Sequence, residues 1–178
     1  MPAKLMSTDG ATELVNFDGA TQLNSREALC VYLKNFDAYK LYTSQALADT
    51  ASRTTIAARD AGVPVVRDAK AVYEARYVDA TGKATRVWVL QSERQIGQFF
   101  QLAKQGQVSS LTKTIKANGA EAIARSIRGF EQARDYKLTD PQGFFDPAQG
   151  MPVRFMDIHT GANPDPRLQE MIDALKAK

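Results

Sequence analysis

Cysteine, histidine and tryptophan each occur once in this chain of 178 residues. A single cysteine, Cys30, excludes an intrachain disulfide. Paired with a single histidine, it also argues against the common Cys/His zinc sites within one chain. Cys30 falls in the apolar stretch ALCVYL, where a buried, inert thiol is the expectation. No window reaches the roughly 18 apolar residues that a membrane span needs, and MPAKLMSTDGATELV lacks the apolar core of a secretory signal. The expected protein is therefore soluble and cytoplasmic, with no membrane partner. No Walker-type phosphate loop, G-x-G-x-x-G or H-E-x-x-H is present, and no cofactor is expected. Internal repeats, heptad runs and low-complexity tracts are missing as well.

Apolar residues make up 44% and charged residues 24%, an ordinary globular balance. A chain of this length can bury a core without metal or disulfide staples. The net charge of +3 is unevenly spread. Residues 1–66 hold 6 Lys/Arg against 7 Asp/Glu, residues 67–137 hold 13 against 7, and residues 138–178 hold 4 against 6. The whole positive excess lies in the middle segment, where it can attract phosphates or an acidic partner.

The pattern along the chain predicts an α+β fold: a mostly helical single domain over 11–178, with a small antiparallel sheet built on a β-hairpin, after a flexible N-terminus at 1–10. TELVNF (12–17) reads as a short strand. Asn24 with Glu27 resembles a capping box, and Leu29, Tyr32, Leu33, Phe36 and Tyr39 follow at helical spacing. The helical pattern runs on to Gly62, a plausible C′ glycine. A helix over 25–61 would be about 55 Å long, so a break near 42–44 or a partner subunit packed on it is expected, with a homo-oligomer formed through that helix as one outcome. Ser92 and Gln95 suggest a further helix through Phe99, Phe100 and Ala103, ending near Gly106. Helices are predicted at 109–118 and 120–136, a long loop at 138–151 and a strand at 152–158. A last helix is expected to be capped by Asp165 with Pro166 in its first turn.

The hairpin ARYVDATGKATRVWVL (75–90) is the most informative stretch. Asp79 and Gly82 suit a type I turn in which Gly82 takes a left-handed conformation and makes a bulge. That turn pairs Asp79 with Lys83, Tyr77 with Thr85, Arg76 with Arg86, and Glu74 with Trp88. The apolar pattern selects the same register, placing Tyr73, Ala75, Tyr77, Val87 and Val89 on one face. Arg76 and Arg86 then stand opposite each other beside Trp88, an unfavourable juxtaposition that calls for Glu74, solvent or an anionic ligand.

The candidate binding residues for nucleic acid or an acidic partner are Arg76, Arg86, Trp88 and Lys83 on the hairpin, with Lys113, Lys116, Arg125 and Arg128 on the helices. SLTKTIKANGAEAIARSIRGF (110–130) bears a superficial likeness to helix-turn-helix, although Arg125 stands where an apolar anchor is usual. Asp157 and His159 would share a strand face, where a carboxylate can orient an imidazole. Adjacent phenylalanines in GFFDP (143–147) would plug the core or dock on a partner.

Three functions follow as expectations. The first is a non-enzymatic binding protein using the basic centre on nucleic acid or an acidic protein. The second is a structural or assembly subunit, and the third a small enzyme with Asp157 and His159 in its site.

Overall fold

A computed structural model of the chain describes residues 1–66 and 69–178. They form two compact units, Met1–Arg53 with Arg67–Arg94 and Thr54–Val66 with Gln95–Lys178.

In the first unit the strands are β1 (Lys4–Met6), β2 (Glu13–Asn16), β3 (Thr21–Leu23), β4 (Cys30–Lys34) and β5 (Asp37–Tyr42). Helix α1 (Gln45–Asp60) follows β5, with its residues up to Arg53 in this unit and the rest in the second, and β6 (Ala69–Val78) and β7 (Ala84–Glu93) complete the set. The seven strands make one sheet in the order β2-β1-β6-β7-β5-β4-β3. Every neighbouring pair is antiparallel, so after six reversals the edge strands β2 and β3 run the same way. Only residues 17–20 separate them in the chain. They are two halves of one bent segment, and the sheet curls until that segment supplies both of its edges. The corner is held by Phe17, whose N–H donates to the Ala3 carbonyl at 2.9 Å and whose ring stacks on Tyr32 at 4.0 Å.

The interior of the curl is apolar, with Leu5, Leu41, Val87 and Val89 wholly buried. It includes a polar cluster in which the hydroxyls of Tyr32 on β4 and Tyr77 on β6 lie 2.7 Å apart. These strands are not neighbours in the sheet, so the bond crosses the curl. On the outer face Trp88 and Leu90 pack with Tyr42 and with Ala48 and Ala51 of α1. The alanines allow the helix backbone to approach the sheet closely.

In the second unit the elements are β8 (Gln98–Gln101), α2 (Gln107–Ala117), α3 (Gly119–Asp135), β9 (Leu138–Thr139), β10 (Gln142–Phe145), β11 (Val153–Met156), β12 (His159–Thr160) and α4 (Pro166–Lys176). The order β11-β10-β8 forms a three-stranded sheet, and β12 pairs with β9. Three aromatic rings, Phe100, Phe130 and Phe155, meet edge-on or tilted at the centre of this core. Helix α4 buries Leu168, Met171, Ile172 and Leu175. Asp165 caps it by accepting from the Arg167 N–H at 3.0 Å, in keeping with the sequence.

The hairpin register is the expected one, from Tyr73 opposite Val89 to Val78 opposite Ala84, with Arg76 opposite Arg86. Gly82 has φ 89°, and the Asp79 N–H donates to the Lys83 carbonyl at 3.0 Å. The mostly helical fold is not observed. The described residues hold four helices and twelve strands, each class about 32% of the chain, dominated by the seven-stranded sheet.

Four local expectations are corrected with it. The 25–61 helix is replaced by β4, β5 and the 16-residue α1, so the long helix that suggested an oligomer does not exist. Its aromatic and β-branched content (Val31, Tyr32, Tyr39, Tyr42) fits a pleated surface better than a helix. The helix expected after Ser92 is the end of β7 and then β8. Gly97 lies between them at φ 125°, and a Cβ there would stand 2.6 Å from the Phe145 carbonyl oxygen. Residues 4–6 of the supposedly flexible N-terminus form β1, with Leu5 wholly buried. The 138–151 loop contains β9 and β10.

Candidate functional site

The hairpin brings Arg76, Arg86, Lys83 and Trp88 together on the first unit, but most of its charge is already answered. The Arg86 Nε donates to Glu74 Oε1 at 2.6 Å. Its guanidinium carbon lies 4.9 Å from the centre of the Trp88 ring, a cation–π distance. The hydrogen bond and charge of Glu74 raise the Arg86 pKa above its ordinary value. Arg76 reaches the neighbouring 7–12 loop: its Nη1 lies 3.0 Å from where a Gly10 Cβ would be. There it helps lower the Asp9 carboxyl, whose larger causes are hydrogen bonds from Ser7 and Ala11. Lys83 stands at the exposed turn, where its backbone N–H, the Thr81 backbone N–H and the Thr81 hydroxyl all donate to the Asp79 carboxylate. Trp88 is half-buried against α1, with Arg86 over its ring, so its faces are not an open stacking platform.

The second unit contains a groove that the sequence had only partly marked. It is an open cleft of about 740 Å³ between α2 and α4, closed at one end by the turn before α2. Leu102, Val108, Ala174 and Ala177 contribute apolar lining. Lys104, Lys113, Lys116 and Arg167 supply positive charge, against one lining carboxylate, Glu170. Arg167 is also paired with Asp165 at 2.9 Å, so the three lysines carry the surplus. The Lys116 Nζ donates to the Ala177 carbonyl at 2.8 Å, bridging the two walls. The Thr112 hydroxyl donates to the Val108 carbonyl at 2.7 Å and touches Met171 Sδ at 3.6 Å.

No protein-family model matches this chain, and no curated protein matches it.

Of the expected site residues, only Lys113 and Lys116 meet in this groove. They sit three apart on α2, so one helical face presents both. Arg125 and Arg128 lie on α3 outside it. Arg125 forms an i,i+4 ion pair with Glu121, and Arg128 is exposed. Asp157 and His159 do not share a strand face. Asp157 lies just past β11 with φ 50°, which breaks the alternation, and His159 is exposed on β12 opposite Thr139. Phe145 of GFFDP is buried in the core, and Phe144 meets Phe99 edge-on at 5.6 Å. Among the described residues, no three His, Cys, Asp or Glu side chains converge to hold a metal ion, and no helix is long and apolar enough to cross a membrane.

Sequence reasoning missed Lys104 and Arg167. Arg167 lies in the C-terminal segment, whose net negative charge hid it. Lys104 sat inside an expected helix rather than in the turn before one. The legible signal was Asp165-Pro166-Arg167, which places a cation in the first turn of a helix whose start was already read.

Proposed function

We propose that this is a non-enzymatic binding protein whose α2–α4 groove takes an acidic segment of a protein partner. One observation carries this reading: three lysines and Arg167 ring an apolar-lined cleft with a single lining carboxylate. Charge at the rim draws an acidic partner in, and apolar lining rewards a partner that also brings apolar side chains.

The same observation favours a protein over nucleic acid. Unpaired bases are generally held by aromatic stacking, and no aromatic side chain lines the groove. The tryptophan that could have stacked on a base is half-buried on the hairpin, beneath Arg86.

Fluorescence anisotropy with a labelled peptide of alternating glutamate and leucine blocks tests the reading. Binding is expected at low salt and should weaken as ionic strength rises toward about 0.15 M, where the Debye length is about 8 Å. The double reversal Lys113→Glu and Lys116→Glu should weaken it at least about tenfold, a loss of about 1.4 kcal/mol. Arg76→Glu with Arg86→Glu should leave it unchanged. Tighter binding of an unlabelled oligothymidylate, lost on the same lysine reversals, would transfer the site to nucleic acid. Peptide binding indifferent to Lys113 and Lys116 would remove the groove from consideration.

A further inference from the structure

The groove's walls restrict the conformation of what enters it. Its α2 positions are 108, 109, 112, 113 and 116, and its α4 side supplies 167, 170 and 174, with Ala177 just past the helix end. Both sets step by one, three or four residues, so each helix presents one continuous stripe. Thr112 meets Met171, and Lys116 meets Ala177. Both chains therefore advance together, and α2 and α4 are parallel. The groove is the valley between two parallel helices. The eight steps from Val108 to Lys116 rise about 12 Å, and the nine from Arg167 to Lys176 rise about 14 Å.

Resting on the proposed function, we infer that the acidic segment docks as a helix of two to three turns, antiparallel to α2 and α4. An extended peptide docks either on a strand edge that receives its backbone N–H and C=O groups or, as a proline-rich helix, in an aromatic-lined groove, and this lining has neither. The valley walls are helices whose backbone groups are already bonded along their own axes. A strand laid there would bury unpaired polar groups, which folded proteins avoid. A helix brings its backbone bonds with it and needs only side-chain contact. Ser109, Thr112 and Ala174 are small enough to let its axis come close.

Charge sets the direction. The N-terminal ends of α2 and α4 lie at the same end of the valley, with Lys104 and Arg167. No acidic residue occupies the first turn of α2, and no side chain caps it. The uncapped positive end of α2 and the Lys104 ammonium thus coincide there, while Asp165 already caps α4 and pairs with Arg167. The α2 end and Lys104 favour the partial negative charge of a helix C-terminus and any acidic residues in its last turn.

Two probes of one composition test this. Each is a Glu/Leu peptide of about 14 residues, with leucines at i, i+3, i+4 and i+7 and two lysines whose amines condense with glutamate carboxyls to form lactam bridges, the remaining glutamates staying free. One is held helical by side-chain lactam bridges, and the other has the same bridges placed out of register so that helix cannot form. The full-length protein is titrated with each by anisotropy, alongside its Lys113→Glu variant. The expected result is binding of the helical probe at least about tenfold tighter, weakened by Lys113→Glu. Equal binding of the two probes, or tighter binding of the non-helical one, both still dependent on Lys113, would overturn the helical inference and leave the proposed function standing. Binding of neither probe in a Lys113-dependent way would overturn both.

Direction is read by a nitroxide on either end of the helical probe. A C-terminal nitroxide should broaden the amide signals of residues 104–109, and an N-terminal one those of residues 116–117. The opposite pattern would reverse the orientation.

Discussion

Replacing Gly143 by alanine should break the second unit more severely than its size suggests. Gly143 lies in the middle of β10, opposite Phe155 of β11 and Phe100 of β8. A Cβ added there would stand 2.0 Å from the Arg154 carbonyl oxygen and 3.0 Å from the Phe155 Cα. Both contacts are backbone, so no side-chain rotation relieves them. Reaching the 3.4 Å of ordinary contact means moving β10 away from β11 by about 1.4 Å. A shift of that size stretches ladder hydrogen bonds on both sides of β10. Two such bonds are worth about 2 kcal/mol, and forced overpacking adds about 1–3 kcal/mol. The expected loss is about 3–5 kcal/mol, a large part of the roughly 5–15 kcal/mol that holds a domain folded. Urea unfolding followed by circular dichroism measures it, and hydrogen exchange of residues 142–145 and 153–156 localises it. Gly150→Ala is the control, because nothing lies within 4 Å of its added Cβ. A Gly143→Ala variant within about 0.5 kcal/mol of wild type, with unchanged exchange, would refute the argument.

Alkaline pH should loosen the first unit. Burial pushes the Tyr73 hydroxyl up to about 12, aided by Tyr39 and Asp37. Burial likewise raises Tyr32 and Tyr77 above the ordinary tyrosine value. The unfolded chain releases these protons near pH 10 while the folded chain keeps them. Stability is therefore intact below about pH 10 and falls as pH rises toward about 12; a urea midpoint that stays flat across that range, followed by Trp88 emission, would contradict it. Burial also pushes the Cys30 thiol up to about 11, so it should resist alkylation at neutral pH until the protein unfolds; rapid labelling of native protein would show the thiol to be accessible. Arg86→Ala should shift Trp88 fluorescence by removing the cation over its ring, with no measurable fall in the thermal midpoint, since the exposed Arg86–Glu74 pair adds little in water. An unchanged emission spectrum would place the guanidinium off the ring in solution.

The hairpin was legible because two independent signals agreed, the Asp79–Gly82 turn and the alternation of Tyr73, Ala75, Tyr77, Val87 and Val89. Helices α2, α3 and α4 were legible too, because each carries an apolar stripe next to a turn or cap residue. The sheet around the hairpin was not. Residues 29–39 carry apolar side chains at spacings that suit a helix, and only the two-residue turn at Asn35 and Phe36 separates β4 from β5. Asn35 takes φ 53° there, a conformation asparagine tolerates and local pattern does not announce. Strands β8 and β10 hide for another reason. Gly97 and Gly143 read as loop or as tolerated helix glycine, whereas at each an added Cβ would stand within 3 Å of another segment's backbone. Such approaches join residues some fifty positions apart or on separate strands, beyond any window of local sequence. The groove was half legible on the same grounds: Lys113 and Lys116 share one helix, while Lys104 and Arg167 join them only through tertiary packing.

The place of the hairpin within the sheet has a consequence for synthesis on the ribosome. Strand β6 is the neighbour of β1, and β7 is the neighbour of β5, so residues 69–93 join the two halves of the sheet. Residues 1–42 leave the ribosome first, carrying both halves but not the piece between them. At about 5–20 residues per second, the wait from residue 42 to residue 93 is about 2–10 seconds. Throughout it, β1 and β5 each have an unoccupied edge, and Leu5, Tyr39 and Leu41 lack the strands that will cover them. A nascent chain with that timetable holds two strand edges and their apolar faces open to solvent for seconds, and slowing translation within residues 43–93 should lengthen that exposure.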